Sequence, residues 1–377
     1  MKIEAVDLRR ISIPMVAPFR VSFGVEHERD ILLVRVVAGD AEGWGECVAM
    51  SRPLYSSEYV DGAEDVIRRH LLPRLFEAGD VAADRVAEIL RPIHGHPMAK
   101  AALEMAVLDA ELRGTGVSLG VHLGAVRTEV DCGVSVGIHE DPAELVEVVS
   151  GYLAEGYRRI KLKIEPGHDV ESVRAVRERF PEILLQVDAN TAYTLDDASQ
   201  LAKLDEFDLL LIEQPLEEDD VRGHAELARL VRTPICLDES ITSARSAADA
   251  IALGACRVVN IKAGRVGGYL EARRVHDVCA ENGIPVWCGG MLETGLGRAA
   301  NVALAALPNF TLPGDTSASG RYYVQDITEP FVLRDGRLEV PQGPGLGVSP
   351  IPEILDELTT SLVTELPART AAQDVVA

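Results

Sequence analysis

The first part of the chain alternates between apolar and polar positions and then changes to a helical period. Residues 3–14 and 31–37 are largely apolar runs with the character of β-strands, separated by a predicted loop at residues 18–20. From 58 to 115 the apolar residues recur every three or four positions, which predicts helices. Together these segments predict an N-terminal α+β domain over residues 1–125.

Beyond this domain, short β-branched runs alternate with amphipathic helical stretches, which is typical of βα units in a parallel sheet. Two helix starts support this interpretation. Asp141 precedes Pro142 at a first helical position, and Thr194 with Asp197 resembles a capping box. The pattern predicts a closed α/β barrel over residues 126–320. The eight predicted strands span residues 132–136, 159–164, 183–188, 209–213, 234–238, 257–262, 285–288 and 310–312.

The chain after the barrel shows a different pattern. Residues 331–340 predict two strands around the turn Asp335-Gly336. We therefore expect the segment 321–365 to leave the barrel and return to the N-terminal domain. Residues 366–377 are predicted to form a frayed tail.

Length and charge narrow the class of protein. At 377 residues the chain exceeds a barrel of about 250 residues, so a second domain is required. A formal charge of -23 argues against nucleic acid or an anionic membrane as a partner. The charged start and the lack of a long apolar stretch argue against export and membrane insertion. Six scattered cysteines without a CxxC pair then predict a reduced, cytoplasmic protein.

Five ionisable residues recur at the ends of consecutive predicted strands. Successive members are separated by 25, 25, 25 and 24 residues, which is one βα unit per step. We therefore expect all five at one height on the C-terminal rim of the barrel, where barrel enzymes have their active sites. A single acid at a strand end more often caps a helix, but a set in register predicts a shared site. The five are Lys163, Asp188, Glu213, Asp238 and Lys262.

The three acids of this set predict a metal site. Asp188, Glu213 and Asp238 would repel one another at close range unless a hard cation neutralised them. Mg²⁺ is the expected cation, and Mn²⁺ or Co²⁺ are expected to substitute for it.

The two lysines of the set predict proton transfer. Lys163 and Lys262 follow the second and sixth strands, which lie on opposite sides of an eight-stranded ring. One amine could remove a proton alpha to a carboxylate, and the other could return a proton to the opposite face. A bound cation would stabilise the enediolate. Lys161 points into the same interior and is expected to lower the pKa of Lys163, or alternatively to serve only as an ion-pair partner.

Other polar residues near these positions have two possible roles. Asn190 and Glu239 lie close behind proposed ligands and could orient them through hydrogen bonds, as could Gln214. A plain loop role is the alternative for Asn190 and Gln214. The glycine-rich residues 264–268 are interpreted as a chain turn more readily than as a phosphate site. The scattered histidines are interpreted as surface or packing residues: His94, His96, His224 and His276.

At these residues the chain resembles the enolase superfamily, and within it the muconate-lactonizing-enzyme subgroup, over essentially its whole length. The resemblance implies an N-terminal capping domain over a (β/α)7β barrel, with Asp188, Glu213 and Asp238 as metal ligands. It also implies Lys163 and Lys262 as the acid and base. The motifs are Lys161-Leu-Lys163, Asp188-Ala-Asn190, Glu213-Gln-Pro215, Asp238-Glu-Ser240, Asn260-Ile-Lys262 and the segment 289–297.

Within the subgroup the chain is most similar to the N-acylamino acid racemase and o-succinylbenzoate synthase group. Its members racemise N-acyl, often N-succinyl, amino acids or dehydrate a cyclohexadiene precursor of menaquinone. The residue two positions after Asp315 is Ser317 and not a second acid. The chain therefore lacks the Asp-x-Asp with which dipeptide epimerases hold a free ammonium group. The resemblance implies a pocket for the acyl or aryl part, with core packing as the alternative for each member: Phe19, Met50, Ser135, Met291 and Tyr323.

Other functions are compatible with the same motifs. Muconate cycloisomerase and dipeptide epimerase would share the fold, the metal and the lysines and would differ in the pocket. A binding protein on a barrel scaffold would show no dependence on a divalent metal. The group implies a small-molecule carboxylate substrate and a homo-oligomer, from dimer to octamer. The sequence leaves open the physiological reaction, the preferred acyl group and side chain, and the oligomeric state.

Overall fold

The structure is a computed structural model that describes residues 1–368, and its N-terminal part contains an antiparallel sheet. Both strand regions predicted there are confirmed, but residues 18–20 belong to the first strand and not to a loop. The pairing register shifts between Pro14 and Phe19, because neither Pro14 nor Pro18 has an N–H to donate. The strands are β1 (Ala5–Val21), β2 (Gly24–Ala38) and β3 (Ala41–Cys47).

Helices follow this sheet, as the helical period predicted. They are α1 (Val60–Val66), α2 (Leu72–Ala78), α3 (Ala83–Leu90), α4 (Pro97–Thr115) and α5 (Leu119–Leu123), with a π-helical turn at Ile67–Leu71. Helix α4 lies so close to β3 that a Cβ on Gly43 or Gly45 would approach helix carbonyl oxygens to 2.2 and 2.0 Å. Glycine at these two positions therefore permits direct contact between sheet and helix.

The second part of the chain is a parallel sheet whose strands follow one another in chain order, as predicted. Helices connect the strands on the outside. The strands are β5 (Gly133–Val136), β6 (Arg159–Lys163), β7 (Leu184–Asp188), β8 (Ile212–Glu213), β9 (Ile235–Leu237), β10 (Val258–Ile261) and β11 (Val286–Cys288). The helices are α6 (Pro142–Ala154), α7 (Val170–Arg179), α8 (Ala198–Leu201), α9 (Val221–Leu230), α10 (Ala244–Leu253), α11 (Ala263–Val266), α12 (Tyr269–Glu281) and α13 (Gly295–Ala305).

Both predicted helix caps are confirmed. The Asp141 side chain accepts the Ala143 N–H at 2.8 Å, and Pro142 occupies the first position of α6. Thr194 and Asp197 form a capping box at the start of a short 3₁₀ helix.

The eighth predicted strand, at residues 310–312, does not form a continuous strand. Phe310 makes one bridge to Val286, and Gly314 then accepts the Gly133 N–H at 2.7 Å. Pro313 cannot donate a hydrogen bond, which explains why no regular ladder forms here. The segment nevertheless lies between β11 and β5 and closes the ring.

The C-terminal segment returns to the N-terminal sheet, as predicted. Strand β13 (Thr359–Glu365) pairs antiparallel with β1 after the short helix α14 (Pro352–Leu358). The predicted hairpin at residues 331–340 is reduced to one bridge around its turn. Its second half, β12 (Arg337–Glu339), pairs instead with β4 (Glu129–Asp131). Most of the predicted frayed tail lies outside the described residues.

Two buried carboxylates of the N-terminal domain contact the starts of barrel helices. Glu46, at the end of β3, accepts hydrogen bonds from the Thr294 and Gly297 N–H groups at 3.0 Å each, at the start of α13. Glu104 of α4 accepts the Leu270 N–H at 3.1 Å in the first turn of α12. Burial raises the pKa of each carboxyl to about 7. These contacts fix the N-terminal domain over the open end of the barrel.

The expectation of unpaired, buried cysteines is confirmed. All six are free and buried in the described part of the chain. No helix in residues 1–368 has the length and apolar character needed to span a lipid bilayer.

Candidate active site

The strand register brings the ionisable residues of the sequence pattern to one rim of the barrel. Lys163 pairs with Asp188, and Asp188 pairs in turn with Glu213. Glu213 pairs with Cys236, however, so Asp238 lies two residues further along its strand than a level row would require. Side chains alternate along a strand, and an offset of two therefore keeps Asp238 on the inner side.

Lys161 lies at the centre of the acidic cluster. Its Nζ is 3.1 Å from Asp188 Oδ2, 3.1 Å from Glu213 Oε2 and 2.7 Å from Asp315 Oδ2. Burial alone would lower the pKa of Lys161, but these carboxylates outweigh it and raise the pKa well above its ordinary value. Lys161 is therefore an ion-pair partner of the cluster, which is the alternative role that the sequence left open. Its predicted influence on Lys163 stays a prediction.

Lys163 is held by a short relay of polar side chains. Its Nζ donates to Asp188 Oδ2 at 2.6 Å and also to Asn190 Oδ1. Asn190 donates from Nδ2 to Glu239 Oε1 at 2.9 Å. Burial, followed by the nearby Asp238 charge, raises the pKa of Glu239 to about 7. Asn190 thus contacts Lys163 through its side chain and Asp188 Oδ1 through its backbone N–H at 3.1 Å, and Glu239 contacts Asn190. That these two residues orient proposed ligands stays a prediction.

Lys262 follows the end of β10. Its surroundings include Tyr55 and Arg265, two residues that the sequence patterns did not indicate. Its Nζ lies 2.7 Å from Asp238 Oδ2 and 2.7 Å from the Tyr55 hydroxyl oxygen. Tyr55 also donates to Asp238 Oδ2 at 3.3 Å and accepts a hydrogen bond from Arg265. Arg265 is three residues beyond Lys262, a helical spacing that could have indicated it. Tyr55 lies in a loop without periodicity, and no comparable signal existed for it.

The three carboxylates proposed as ligands are not fully compensated by the side chains around them, and a hard cation would suit them. Burial, and next the charge of Asp188, raise the pKa of Glu213 well above its ordinary value. Asp238 Oδ1 is buried and accepts no hydrogen bond within residues 1–368, and Arg265 Nε lies 3.6 Å from it. A divalent ion is a suitable partner for such oxygens. Lysine ammonium groups lie between the acids here, and no three acidic, histidine or cysteine side chains of residues 1–368 form a metal cage.

Four of the five predicted pocket residues line the cavity in front of this cluster. Phe19, Met50, Ser135 and Met291 surround it together with both Lys163 and Lys262. Tyr323 does not line the cavity, because it is 1% exposed and its hydroxyl donates to the Leu292 carbonyl oxygen. Its neighbour Tyr322 takes that place. Further residues on the wall are Val21, Phe23, Glu26, Tyr55, Lys161, Asn190, Gly290, Leu292 and Asp315.

Asp315 is fully engaged by protein cations. Besides the contact with Lys161, its Oδ1 accepts from Arg159 Nη1 at 2.8 Å. Burial alone would raise the pKa of Asp315, but Lys161 and Arg159 outweigh it and lower the pKa below its ordinary range. Although Asp315 borders the cavity, its charge is already neutralised.

The remaining polar candidates have structural positions. Gln214 accepts the Asp238 N–H at 3.0 Å and the Ser240 N–H at 3.2 Å, so it shapes the loop after β9 and supports a proposed ligand. His224 is buried and accepts the Leu216 N–H at 3.2 Å, while His276 stacks on Phe310. Both histidines are packing residues, as predicted.

Two family models cover most of the chain. The N-terminal domain of the mandelate racemase / muconate lactonizing enzyme family matches residues 5–124, and the enolase C-terminal domain-like family matches residues 144–354. The chain belongs to the enolase superfamily. Both the resemblance drawn from the motifs and the predicted fold are thereby confirmed.

Three relatives illustrate this membership. An N-succinylamino acid racemase of Amycolatopsis sp. is 70% identical over 96% of this chain and 99% of its own. An o-succinylbenzoate synthase of Geobacillus kaustophilus is 49% identical over 92% of this chain and 93% of its own. A crystal structure of an enolase superfamily member from Listeria innocua superposes with a TM-score of 0.94 at 39% identity, covering 97% of this chain and 100% of that one.

Proposed function

We propose that this enolase superfamily member is a divalent-metal-dependent enzyme that racemises N-succinylamino acids and synthesises o-succinylbenzoate. The observation that carries the proposal is one cavity bordered by two lysines from strands four positions apart, above three buried carboxylates. Relatives named for each of the two reactions support it, at 70% and 49% identity over nearly the whole chain.

Racemisation would use both amines. The Nζ of one lysine removes the α-proton of the bound substrate, and the Nζ of the other returns a proton to the opposite face. Lys163 and Lys262 are each held by a carboxylate and a second polar group, so the two amines are fixed before substrate arrives. Lys161 adds a permanent positive charge beside the site of developing negative charge.

Dehydration would use the same residues unequally. Lys163 removes the proton alpha to the carboxylate, and its Nζ then protonates the departing hydroxyl group, which leaves as water. Lys262 needs only to supply positive charge in this reaction. The two activities are therefore expected to respond differently to loss of Lys262.

Asp188, Glu213 and Asp238 would hold the cation, for which we propose Mg²⁺, with Mn²⁺ or Co²⁺ as substitutes. The unpartnered Asp238 Oδ1 and the mutual repulsion of the buried acids suit a hard divalent ion. When bound, the ion would supply the charge that stabilises a carboxylate losing its α-proton.

An acylated substrate is favoured over a free dipeptide. Asp315 already pairs with Lys161 and Arg159, so it has no charge left for a substrate ammonium group. The cavity wall near Phe19, Met50 and Met291 is apolar and suits an uncharged side chain.

Direct assays of the purified protein test the proposal. N-succinylphenylalanine should exchange its α-proton with deuterium and lose optical rotation in the presence of Mg²⁺, and EDTA should abolish both signals. The cyclohexadiene precursor should yield o-succinylbenzoate under the same conditions. Turnover of muconate or of an Ala-Glu dipeptide in place of these substrates would contradict the proposal and favour a cycloisomerase or an epimerase. The cytoplasmic location and the homo-oligomer stay predictions.

A further inference from the structure

Within residues 1–368, Arg321 carries a positive charge without an acidic partner, although Asp and Glu outnumber Lys and Arg by 60 to 37 in the chain. It ends a short 3₁₀ helix, Ser319–Arg321, just before the cavity residue Tyr322. Its Nη2 donates to the Ser135 carbonyl oxygen at 2.9 Å, and its buried Nε has no hydrogen-bond partner in the described chain. A guanidinium with a buried donor that lacks an acceptor retains capacity to bind an anion.

Aromatic rings hold this guanidinium in place. Its Cζ lies 4.9 Å from the ring centroids of Tyr152 and Tyr322 and 5.5 Å from that of Phe19. Contacts of this kind stabilise the cation without neutralising its charge. The charge therefore stays available to a ligand, while the planar group is fixed in direction.

The wall of the active-site cavity and the surroundings of Arg321 share three residues. Phe19, Ser135 and Tyr322 contact Arg321 and also line the cavity that contains Lys163 and Lys262. The Ser135 hydroxyl is buried and makes no hydrogen bond to another described residue. It is thus a second unpartnered polar group on the same side of the cavity.

A second arginine strengthens the positive character of this wall. Arg298 lies with its Cζ 5.8 Å from the Tyr322 ring centroid. Its hydrogen bonds go to the carbonyl oxygens of Ser317 and Glu293, and none of its nitrogens is within ion-pair distance of a carboxylate in residues 1–368. Two arginines that form no ion pair in the described part of the chain thus lie beside the Tyr322 ring, and their positive charge attracts an anion.

We propose that Arg321 binds a second carboxylate at the far end of the acyl chain and so selects acyl groups that end in a negative charge. Resting on the proposed function, this inference assigns the specificity within it to one residue. The α-carboxylate would occupy the end of the cavity near the lysines, and the acyl chain would pass the Ser135 hydroxyl to reach the guanidinium. Arg321 would act on substrate choice and leave proton transfer to the lysines.

A pair of substrates tests the inference in the unmodified enzyme. N-succinylphenylalanine and its terminal amide, N-succinamoylphenylalanine, have the same shape and differ in the distal charge. A charge-assisted hydrogen bond should make kcat/KM about 10- to 100-fold higher for the carboxylate form. Equal kcat/KM values would overturn the inference without harming the proposed function. Turnover of neither substrate with Mg²⁺ would instead contradict the proposed function.

Variants then assign the preference to Arg321. Arg321→Gln should lower kcat/KM about 10- to 100-fold more for the succinyl substrate than for the amide substrate, whereas Arg321→Lys should restore part of the preference. A merely structural role predicts equal losses on both substrates, which would contradict the inference. Arg179→Gln is the matched control, because Arg179 is exposed and stacks on Phe180 far from the cavity wall.

Discussion

Lysines and carboxylates at the barrel mouth form ion pairs with one another. Lys161 bridges Asp188 and Glu213, Lys163 contacts Asp188, and Lys262 contacts Asp238. Each of these groups is buried or nearly so, and an unpaired charge there would cost several kcal/mol. Removing one member therefore disturbs its partners as well, and single substitutions must be compared with a control of matched chemistry.

Lys262→Ala is expected to reduce racemisation of N-succinylphenylalanine by about 10²- to 10⁴-fold, which is the usual contribution of a positioned acid or base. Deuterium exchange at the α-carbon, followed by NMR from each enantiomer, measures the loss. Lys203→Ala is the control, since that lysine is exposed and donates a hydrogen bond to Gln200. Racemisation that persists in Lys262→Ala would contradict the two-base mechanism.

Tyr55→Phe tests the hydroxyl that joins the N-terminal domain to the proposed proton-transfer site. This hydroxyl contacts both Lys262 and Asp238, so its loss should reduce kcat about 10-fold while the fold is retained. Steady-state kinetics together with thermal unfolding would measure both effects. Tyr59→Phe, in the same loop but exposed, should behave as the unmodified enzyme; equal losses in the two variants would contradict a specific role for Tyr55.

Helices and strands position these residues through contacts between the two parts of the chain. The Glu104 carboxylate of α4 accepts a hydrogen bond at the start of α12, and the Glu46 carboxylate of β3 accepts one at the start of α13. A carboxylate at a helix start is favourable because unpaired N–H groups and the helix dipole meet there. Complete burial opposes this gain, and both carboxyl groups consequently have a raised pKa near neutrality.

Glu104→Gln should change the pH dependence of stability. Burial raises the pKa of Glu104 from 4.5 to about 7, so its contribution to stability is full below pH 4.5 and is lost as the pH rises through 7. The unfolding temperature of the variant, relative to the unmodified protein, should therefore rise between pH 5 and pH 8. The pH-dependent contribution of Glu104 to the free energy of unfolding is at most about 3 kcal/mol. Calorimetry across this range measures it. The exposed Glu88→Gln should show a constant difference; the same constancy in Glu104→Gln would refute this assignment.

For the whole molecule, the acidic cluster implies a stability that depends on a bound cation. An ion that binds the folded chain alone stabilises it by about 2.7 kcal/mol at a concentration 100 times its Kd. We expect Mg²⁺ to raise the unfolding temperature by several degrees and EDTA to reverse the rise. In Asp238→Asn the response should disappear, whereas the exposed Asp249→Asn should keep it. A Mg²⁺ response that persists unchanged in Asp238→Asn would remove this residue from the ligand set.

The sequence by itself determined the barrel, the order of its strands and the residue types at its mouth. The reason is that one βα unit per 24 or 25 residues repeats the same local geometry, and a regular spacing of charged residues then places them on one rim. The lysines on the second and sixth strands follow from this count alone. Local patterns of this kind require no knowledge of which distant segments meet.

Only the tertiary structure decided what surrounds that rim. Tyr55 contacts Lys262 from a loop 207 residues earlier in the chain, and Arg321, beyond the last barrel strand, contacts the cavity residues Phe19, Ser135 and Tyr322. Which of Tyr322 and Tyr323 lines the cavity depends on the direction of the chain at the preceding turn. The irregular closure of the barrel at residues 310–312 depends on Pro313. Such contacts join segments distant in sequence, and their geometry is set by packing between elements rather than by any period along the chain.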